Sequence, residues 1–399
     1  MNRDKGTAAQ GSAKHILLIY RRMIPSIRLC GHCQAEALAA AGRIEYRAVQ
    51  GMRLKPADLR WADLVLLGRT DSWYEHKIAS RLHRAGKTLV YIIDDDLLNV
   101  PPEVTSASYY NQKEIRRCVG EMIGMSDAVV SPSPLLLSKY AKDGRRAIRL
   151  EEPAIHPAPF TAHGADRPVK IGFAGSVDRT GDLEDILGQA LRGIKQAYGD
   201  RAEFEIFGAA PSFAEEIGAK CIPYTRSYDD YRAALNGLNW DIGLAPMPAT
   251  DFHACKHYNK FVEYAAAGIA GIFSDVPPYD RLTAFPGCAA LCQNRTEDWE
   301  RAIRCLMDDR EAREAMRKAA ADCAAGLLSV AASAESLAEA LENLQKERPS
   351  KSGSGDGRFG LLLPLKAGNV YKRFLSSVRG HGAVGFVKHG LSLLKSREG

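Results

Sequence analysis

No run in this 399-residue chain is apolar for the ~20 residues that a bilayer requires, so no membrane-spanning helix is expected. The N-terminal MNRDKGTAAQGSAK lacks the apolar core and cleavage site of an export signal and reads as a loose polar leader. The nine cysteines are scattered and odd in number. With no export signal, they are expected to be reduced thiols in a cytoplasm. No G-x-G-x-x-G opens a helix after the first strand of either half, which disfavours a dinucleotide-dependent oxidoreductase. A broad surplus of one charge is missing too. The net charge is +6, yet eight Lys/Arg and a single acid fall in residues 358–399, which leaves the body close to neutral. That distribution excludes a body-wide nucleic-acid surface and points to a local anionic contact at the tail.

What is present is an ordinary globular composition in a chain long enough for two domains. Short apolar runs (HILLIY, IEYRAV, DLVLLG, TLVYII, DAVVS) alternate with helical patterns such as CQAEALAAAG and SWYEHKIASRLHRAG. That order predicts a parallel sheet covered by helices. Residues 152–168, rich in Pro, Ala and Gly, read as a linker. The rhythm then restarts with VKIGFAG, EFEIFG, WDIGLAP and IAGIFS, and helices close the half at about 297–306, 310–326 and 331–345. The expected organisation is a leader (1–13), a Rossmann-like domain (14–151), the linker (152–168) and a second Rossmann-like domain (169–346). A flexible connector (347–358) and a basic tail (359–399) follow. Ligands of open α/β sheets sit at the carboxyl ends of the strands, so the natural site is the cleft between the halves.

The segment KHYNKFVEYAAAGIAGIFSDVPPY places one acid, Glu263, in an otherwise apolar helix predicted over 257–267. Lys256, Lys260 and Glu263 fall at i, i+4 and i+7 and so share a face. A carboxylate accepts hydrogen bonds from a vicinal diol such as that of ribose, and neighbouring lysines suit phosphate oxygens. The same spacing also allows a plain surface ion pair between Lys260 and Glu263.

With its lead-in DIGLAPMPATDFHAC, this stretch resembles the donor-site signature of GT-B glycosyltransferases of the group-1, family 4-like type, in the variant of bacterial surface-polysaccharide enzymes. SDVPPY and CAALCQNRTEDWERAIRCLMDD fit the same pattern, and the resemblance covers about residues 169–345. It implies two Rossmann-like domains facing across a cleft. Glu263 would hold the ribose of a nucleotide-sugar donor, Lys256 and Lys260 would lie near its diphosphate, and Ser274 and Asp275 would complete the donor side. The family often has a second Glu eight residues before the first; this chain has Cys255 there. In the same context the turn in GFAGSVDRTGDLEDIL becomes a phosphate contact through Gly175, Ser176 and Arg179, although alone it is also a plain strand–helix turn.

Three aspartates, Asp94, Asp95 and Asp96, end the strand in YIIDDDLLNVPP. At a strand's carboxyl end they can serve as base for an acceptor hydroxyl or bind its hydroxyls. A divalent-metal site of the Asp-x-Asp kind and a solvated turn are the rival readings. The loop MIPSIRLCGHC offers Arg28, Gly31 and His32 to the acceptor side. Cys30 and Cys33 with His32 would make an incomplete zinc or redox motif. In the tail, Val370, Phe374, Leu375 and Val378, then Phe386, Val387, Leu391 and Leu394, fit two short basic amphipathic helices for an anionic bilayer. A tail that packs back on the body or stays disordered fits equally.

The expected activity is sugar transfer from a nucleotide-sugar donor to a hydroxyl of a cell-surface glycan, such as lipopolysaccharide, or a lipid-linked precursor. Retention of configuration is carried from the resemblance. Lys260 and Arg179 would stabilise the leaving diphosphate, and Asp94 and Asp95 would face the acceptor together with Asp96. No cofactor or metal is expected, and no nucleic-acid partner. The expected location is cytoplasmic, peripheral at the inner face of the cell membrane. The alternative is an inactive relative that binds nucleotide or glycan as an assembly subunit.

Overall fold

Strands such as LVLLG and TLVYI are apolar on both faces, which suits a sheet covered above and below. In the computed structural model, which describes residues 14–346 together with Leu362, Leu365, Lys366 and Gly368, they form the centre of a six-stranded sheet. Its strands are β1 (Lys14–Tyr20), β2 (Ile44–Gln50), β3 (Leu64–Gly68), β4 (Thr88–Ile92), β5 (Ala128–Ser131) and β6 (Arg146–Arg149), in the order β2-β1-β3-β4-β5-β6. The second sheet has β7 (Val169–Ala174), β8 (Ala202–Phe207), β9 (Lys220–Ile222), β10 (Ile242–Ala245), β11 (Ala270–Ser274) and β12 (Ala289–Cys292), in the order β12-β11-β10-β7-β8-β9. All pairings are parallel. Sequence reading missed β6, β9 and β12. Each is a short edge strand with partly exposed side chains, so its apolar signal is weak.

The strand order reverses at β1/β3 in the first sheet and at β7/β10 in the second. Connections leave these points in opposite directions and open a crevice at the carboxyl ends. Within the second sheet, Gly172 lies under the ring of Trp240, where a Cβ would come within 2.0 Å of the indole.

The helix Val330–Lys346 corrects the expected boundary at 346. Leu337, Leu341 and Leu344 are buried with Ile16 and Leu18 in the first half's core. The second sheet has a core on each face already, so this apolar stripe finds cover only across the seam. The chain therefore crosses between the halves twice, and the crossings are joined. Ala154 N donates to Leu328 O at 2.7 Å, and Ser333 Oγ donates to Glu151 O at 2.7 Å. Glu152, Ala154 and Ile155 are buried, so the start of the expected linker is packed structure.

Leu362 is buried in the first half's core, and Gly368 lies against Trp73. The beginning of the expected tail is thus docked on the first half. The amphipathic pattern from Val370 onward, the leader and the connector lie outside the described residues.

Leu341→Ala is expected to destabilise the protein by about 2–5 kcal/mol, read as a lower urea midpoint. A loss under ~0.5 kcal/mol, the scale of a surface change, would show that the helix does not complete the first half's core.

Candidate active site

The carboxyl ends of parallel strands converge, so the groups that follow them crowd together. Asp94, Asp95 and Asp96 come just after β4, and each has a different set of partners. Arg69, which follows β3, donates from Nη1 to both oxygens of Asp94 at 2.9 and 3.0 Å and pairs with Asp95 at 3.1 Å. Its backbone has φ +46°, a left-handed conformation uncommon outside glycine. Lys256, from the other half, donates to Asp95 at 2.8 Å. Burial pushes the Asp95 carboxyl up, but Lys256 and Arg69 more than offset it and hold it well below the usual carboxylate range. It is a poor base. Asp96 accepts from Lys139 at 2.7 Å, from Asn99 at 3.0 Å and from the Tyr140 hydroxyl, and it is 1% exposed. That burial removes it from the expected acceptor contacts.

Glu263 lies in the helix Asn259–Ala266, where residues 261–266 are all buried. Its Oε2 accepts from Tyr231 Oη at 2.8 Å and Lys260 Nζ at 2.5 Å, and its Oε1 accepts from Tyr228 Oη at 3.3 Å. Both tyrosines project from the neighbouring helix Tyr228–Gly237. Burial pushes the carboxyl up, but Lys260, Arg232 and the tyrosine hydroxyl outweigh it, so Glu263 remains an anion. The expected Lys260–Glu263 ion pair exists, yet it is not a surface pair. It lines a cleft of about 260 Å³ together with Gly175, Ser176, Tyr224 and Thr225, with Pro25 on the opposite wall from the first half.

Lys256 does not share the face of Lys260. The chain breaks before Asn259, where His257 Nε2 and Tyr258 Oη meet Glu151 Oε2 at 3.0 and 2.8 Å. The anchor turns Lys256 toward Asp95. Burial first, then Arg179 and Lys256, push the His253 imidazole down to about 4. Arg179 donates to Pro246 O at 2.7 Å and pairs with Asp182 at 3.1 Å, which holds it across the β7/β10 switch point. Gly175 and Ser176 turn out of β7. Beside them Gly208 has φ +85°, and a Cβ there would come within 2.3 Å of the Gly175 carbonyl. Only glycine allows that approach.

Several expected site residues are not in this cleft. Ser274 is fully buried, accepts from Met247 N at 2.8 Å and donates to Asn294 at 2.6 Å. It ties the strand ends together. Asp275 accepts from Gln293 at 2.8 Å on the exposed side. Arg28 bridges the halves to Asp229 at 2.6 Å. Gly31 is buried against Ile92, and His32 is engaged by Tyr46 Oη at 2.8 Å. Cys30 is buried, and burial first pushes the Cys33 thiol up to about 12, so neither is a ready thiolate. Among the described residues one carboxylate–histidine group, His163, Asp241 and Glu314, has metal-like spacing. Arg167 and Arg317 occupy it with hydrogen bonds to Asp241 and His163.

Sequence reading missed Arg69, Tyr228 and Tyr231. The signal for Arg69 was the one used for the aspartates, a charged residue directly after an apolar strand. It also missed a second hollow, about 130 Å³, at the β1/β3 switch point, lined by Arg21, Arg22, Arg69, Asp71 and Tyr110. There Arg21 pairs with Asp71 at 3.0 Å, and Asp71 accepts from Tyr109 Oη at 2.9 Å. A larger depression, about 960 Å³, lies away from all these groups along residues 297–312.

No protein-family model matches the chain, and no curated protein matches it by sequence. The likeness is structural. Sucrose-phosphate synthase from Thermosynechococcus elongatus superposes with a TM-score of 0.59 at 13% identity, over 84% of this chain and 100% of that one. HepE of Anabaena, in complex with UDP and glucose, gives 0.54 at 11% identity, over 82% and 99%. A Listeria monocytogenes protein described as a UDP-N-acetylglucosamine 2-epimerase gives 0.53 at 13% identity, over 85% and 98%. The chain has the GT-B fold. Identities this low show the fold alone.

Glu151 generates a pH prediction. It accepts from His257, Tyr258 and Arg281, and these contacts outweigh burial and bring it down to about 2. The unfolded value is about 4.3. A depressed acid stabilises above its unfolded pKa and loses that contribution as pH falls through the folded one. Glu151→Gln should therefore cost on the order of 2–3 kcal/mol at pH 7, with the gap narrowing as pH falls from about 4 toward 2. Denaturant midpoints at pH 7 and pH 3 measure this, and a pH-independent gap would refute it.

Proposed function

We propose that the protein transfers a sugar from a nucleotide-sugar donor to a hydroxyl of a cell-surface glycan or lipid-linked precursor. The observation that carries this reading is Glu263, an ionised carboxylate fixed by two tyrosines and a lysine in the wall of a cleft that the first half faces. A carboxylate held in this way suits the vicinal diol of a ribose. The Gly175–Ser176 turn and Lys260 suit the diphosphate, and Tyr224, exposed beside them, suits a nucleobase face. The UDP and glucose in the HepE complex agree with this class of ligand.

In the proposed reaction the bond from the anomeric carbon to the phosphate oxygen breaks, and its electron pair stays on the phosphate. The acceptor oxygen bonds to that carbon, and its proton passes to the departing phosphate oxygen. Asp95, clamped by two cations, is a weaker base than a nucleoside diphosphate whose last pKa is ~6, so its part is to hold Arg69 and Lys256. Lys260, Arg179 and backbone amides would meet the charge that develops on the leaving group. Retention, with the leaving group and acceptor on one face, fits this proton path. No residue in the scheme requires a metal. The location would be cytoplasmic. No described helix is long and apolar enough to cross a membrane, and the basic tail would reach an anionic bilayer from its anchor on the first half, the proposed acceptor side.

The second reading, an inactive nucleotide-binding subunit, is favoured by Cys255. It is buried against Lys139 Nζ at 3.2 Å, where the resemblance places an acid. Binding of a nucleotide sugar without turnover on lipid-linked acceptors would select it.

UDP, GDP and their sugar forms should raise the melting temperature of the protein, and Glu263→Ala should lose at least about tenfold in affinity, the scale of hydrogen bonds to a charged group. A shift that survives Glu263→Ala unchanged would remove this residue from the site. For the tail, loss of residues 369–399 should abolish flotation with phosphatidylglycerol vesicles while leaving the docked Leu362 in place. Equal flotation would end the membrane proposal.

A further inference from the structure

Open α/β sheets bind ligands outside the carboxyl ends of their strands, where the strand order reverses. The second half uses its reversal for the proposed donor. The first half has a reversal of its own, between β1 and β3, and the hollow of about 130 Å³ lies there. The proposed reaction gives that hollow no occupant. Its volume is below the ~300–1,000 Å³ that encloses a whole small-molecule ligand, so it suits one group of a larger molecule.

Three arginines and one acid stand on its lining: Arg21 and Arg22 follow β1, and Arg69 and Asp71 follow β3. The acid is covered. Asp71 is 3% exposed; its Oδ1 accepts from Arg21 Nη1 at 3.0 Å and from Tyr109 Oη at 2.9 Å, and its Oδ2 accepts from Tyr110 Oη at 3.3 Å. In the Arg21–Asp71 pair the carboxylate side chain is 4% exposed and the guanidinium 27%, so the member left open is the cation. Arg21 also lies over the Tyr109 ring, 4.8 Å from its centroid, which fixes the plane of its guanidinium. Arg69 gives Nη1 to Asp94 and Asp95, yet its Nε is buried with no hydrogen-bond partner among the described residues. Arg22 is exposed, and no ion pair joins it to an acid among the described residues. The hollow therefore offers cations and N–H donors, with its one carboxylate already engaged. Ile24 and Ile27 make an apolar wall beside them.

The same loop ties the hollow to the donor cleft. Ile24 lines the hollow, and the next residue, Pro25, lines the cleft that holds Glu263. Arg69 continues to Asp95, which Lys256 of the second half reaches. A molecule with one group seated in the hollow thus approaches the cleft from the first half's side.

We propose that this hollow binds an anionic oxygen group, a phosphate or a carboxylate, carried by the acceptor, with Arg22 as its charge partner and Arg21 beside it. The inference rests on the sugar-transfer reading and narrows the acceptor to an anionic one. Guanidinium groups match either anion through paired N–H donors. The role is binding and orientation, with no covalent step. A neutral glycan would leave Arg22 to water.

Calorimetric titration of glucose, glucuronate and glucose 6-phosphate against wild type, Arg22→Gln, Arg22→Lys and Lys260→Ala tests this. Both anions should bind wild type at least about tenfold tighter than glucose, the scale of hydrogen bonds between charged groups. Arg22→Gln should lose about tenfold for both anions and leave glucose unchanged, and Arg22→Lys, which keeps the charge without the planar fork, should lose less. Arg22 is exposed, so neither change threatens the fold. Tighter glucose 6-phosphate would assign a phosphate to the acceptor, and tighter glucuronate a carboxylate; either supports the proposal. No binding of either anion at ~10 mM, or anion affinity unchanged in Arg22→Gln, overturns it. So would anion binding lost in Lys260→Ala and kept in Arg22→Gln, which places the anion in the donor cleft. Failure of the sugar-transfer reading shows separately, as wild type that binds neither UDP nor GDP; an anion site that outlived that result would have lost its acceptor role.

Discussion

Parallel strands end together, and in this chain several of them end in acids. Asp94, Asp95 and Asp96 follow one strand, and Glu151 and Glu152 follow another. So many carboxylates in a partly buried gap would repel one another unless cations reach them. The first half supplies Arg69 and Lys139. It also supplies Arg149 for Glu151, and the second half adds Lys256 for Asp95 and Arg281 for Glu151. The exchange runs the other way at Arg28 and Asp229. Each half thus carries cations that pair with acids of the other, and these pairs lie along the line where the halves meet.

The hinge follows from the same seam. Residues 152–155 leave the first half and 328–333 return to it, joined by the backbone bond from Ala154 to Leu328 and by Ser333 on the Glu151 carbonyl. The helix Val330–Lys346 then closes the first half's core. Two crossings held side by side leave the halves less freedom to rotate against each other than a single linker would.

Much of this was legible in the sequence, and the failures share a cause. Nine strands stood out because buried parallel strands are apolar runs; β6, β9 and β12 did not because edge strands are short and mixed. Glu263 stood out as one acid in an apolar helix. Its tyrosine partners did not, since Tyr228 and Tyr231 read as ordinary residues of an amphipathic helix until the two helices are side by side. Lys256 was placed by helical spacing, but the anchoring of His257 and Tyr258 on Glu151 breaks the helix and sends it to Asp95. Asp96 was read as a site residue because it follows a strand end, and Ser274 because the resemblance implied it; neither ground gives the direction of a side chain. Helix Val330–Lys346 was counted with its sequence neighbours, because no local pattern says which core a stripe of leucines will join.

The bridges that hold the halves together involve the same cations that a diphosphate would attract. Lys256 is 28% exposed and Asp95 21% in their pair. Partly solvated pairs are worth little net energy, since the desolvation given up nearly balances the attraction gained. An incoming anion would compete with Asp95 for Lys256, while Asp95 would keep Arg69. Arg69 itself, with both Asp94 and Asp95 on its guanidinium and far less solvent around it, is not so easily displaced. Exchangeable charge on the second half's side and fixed charge on the first half's side follow from how deep each pair lies.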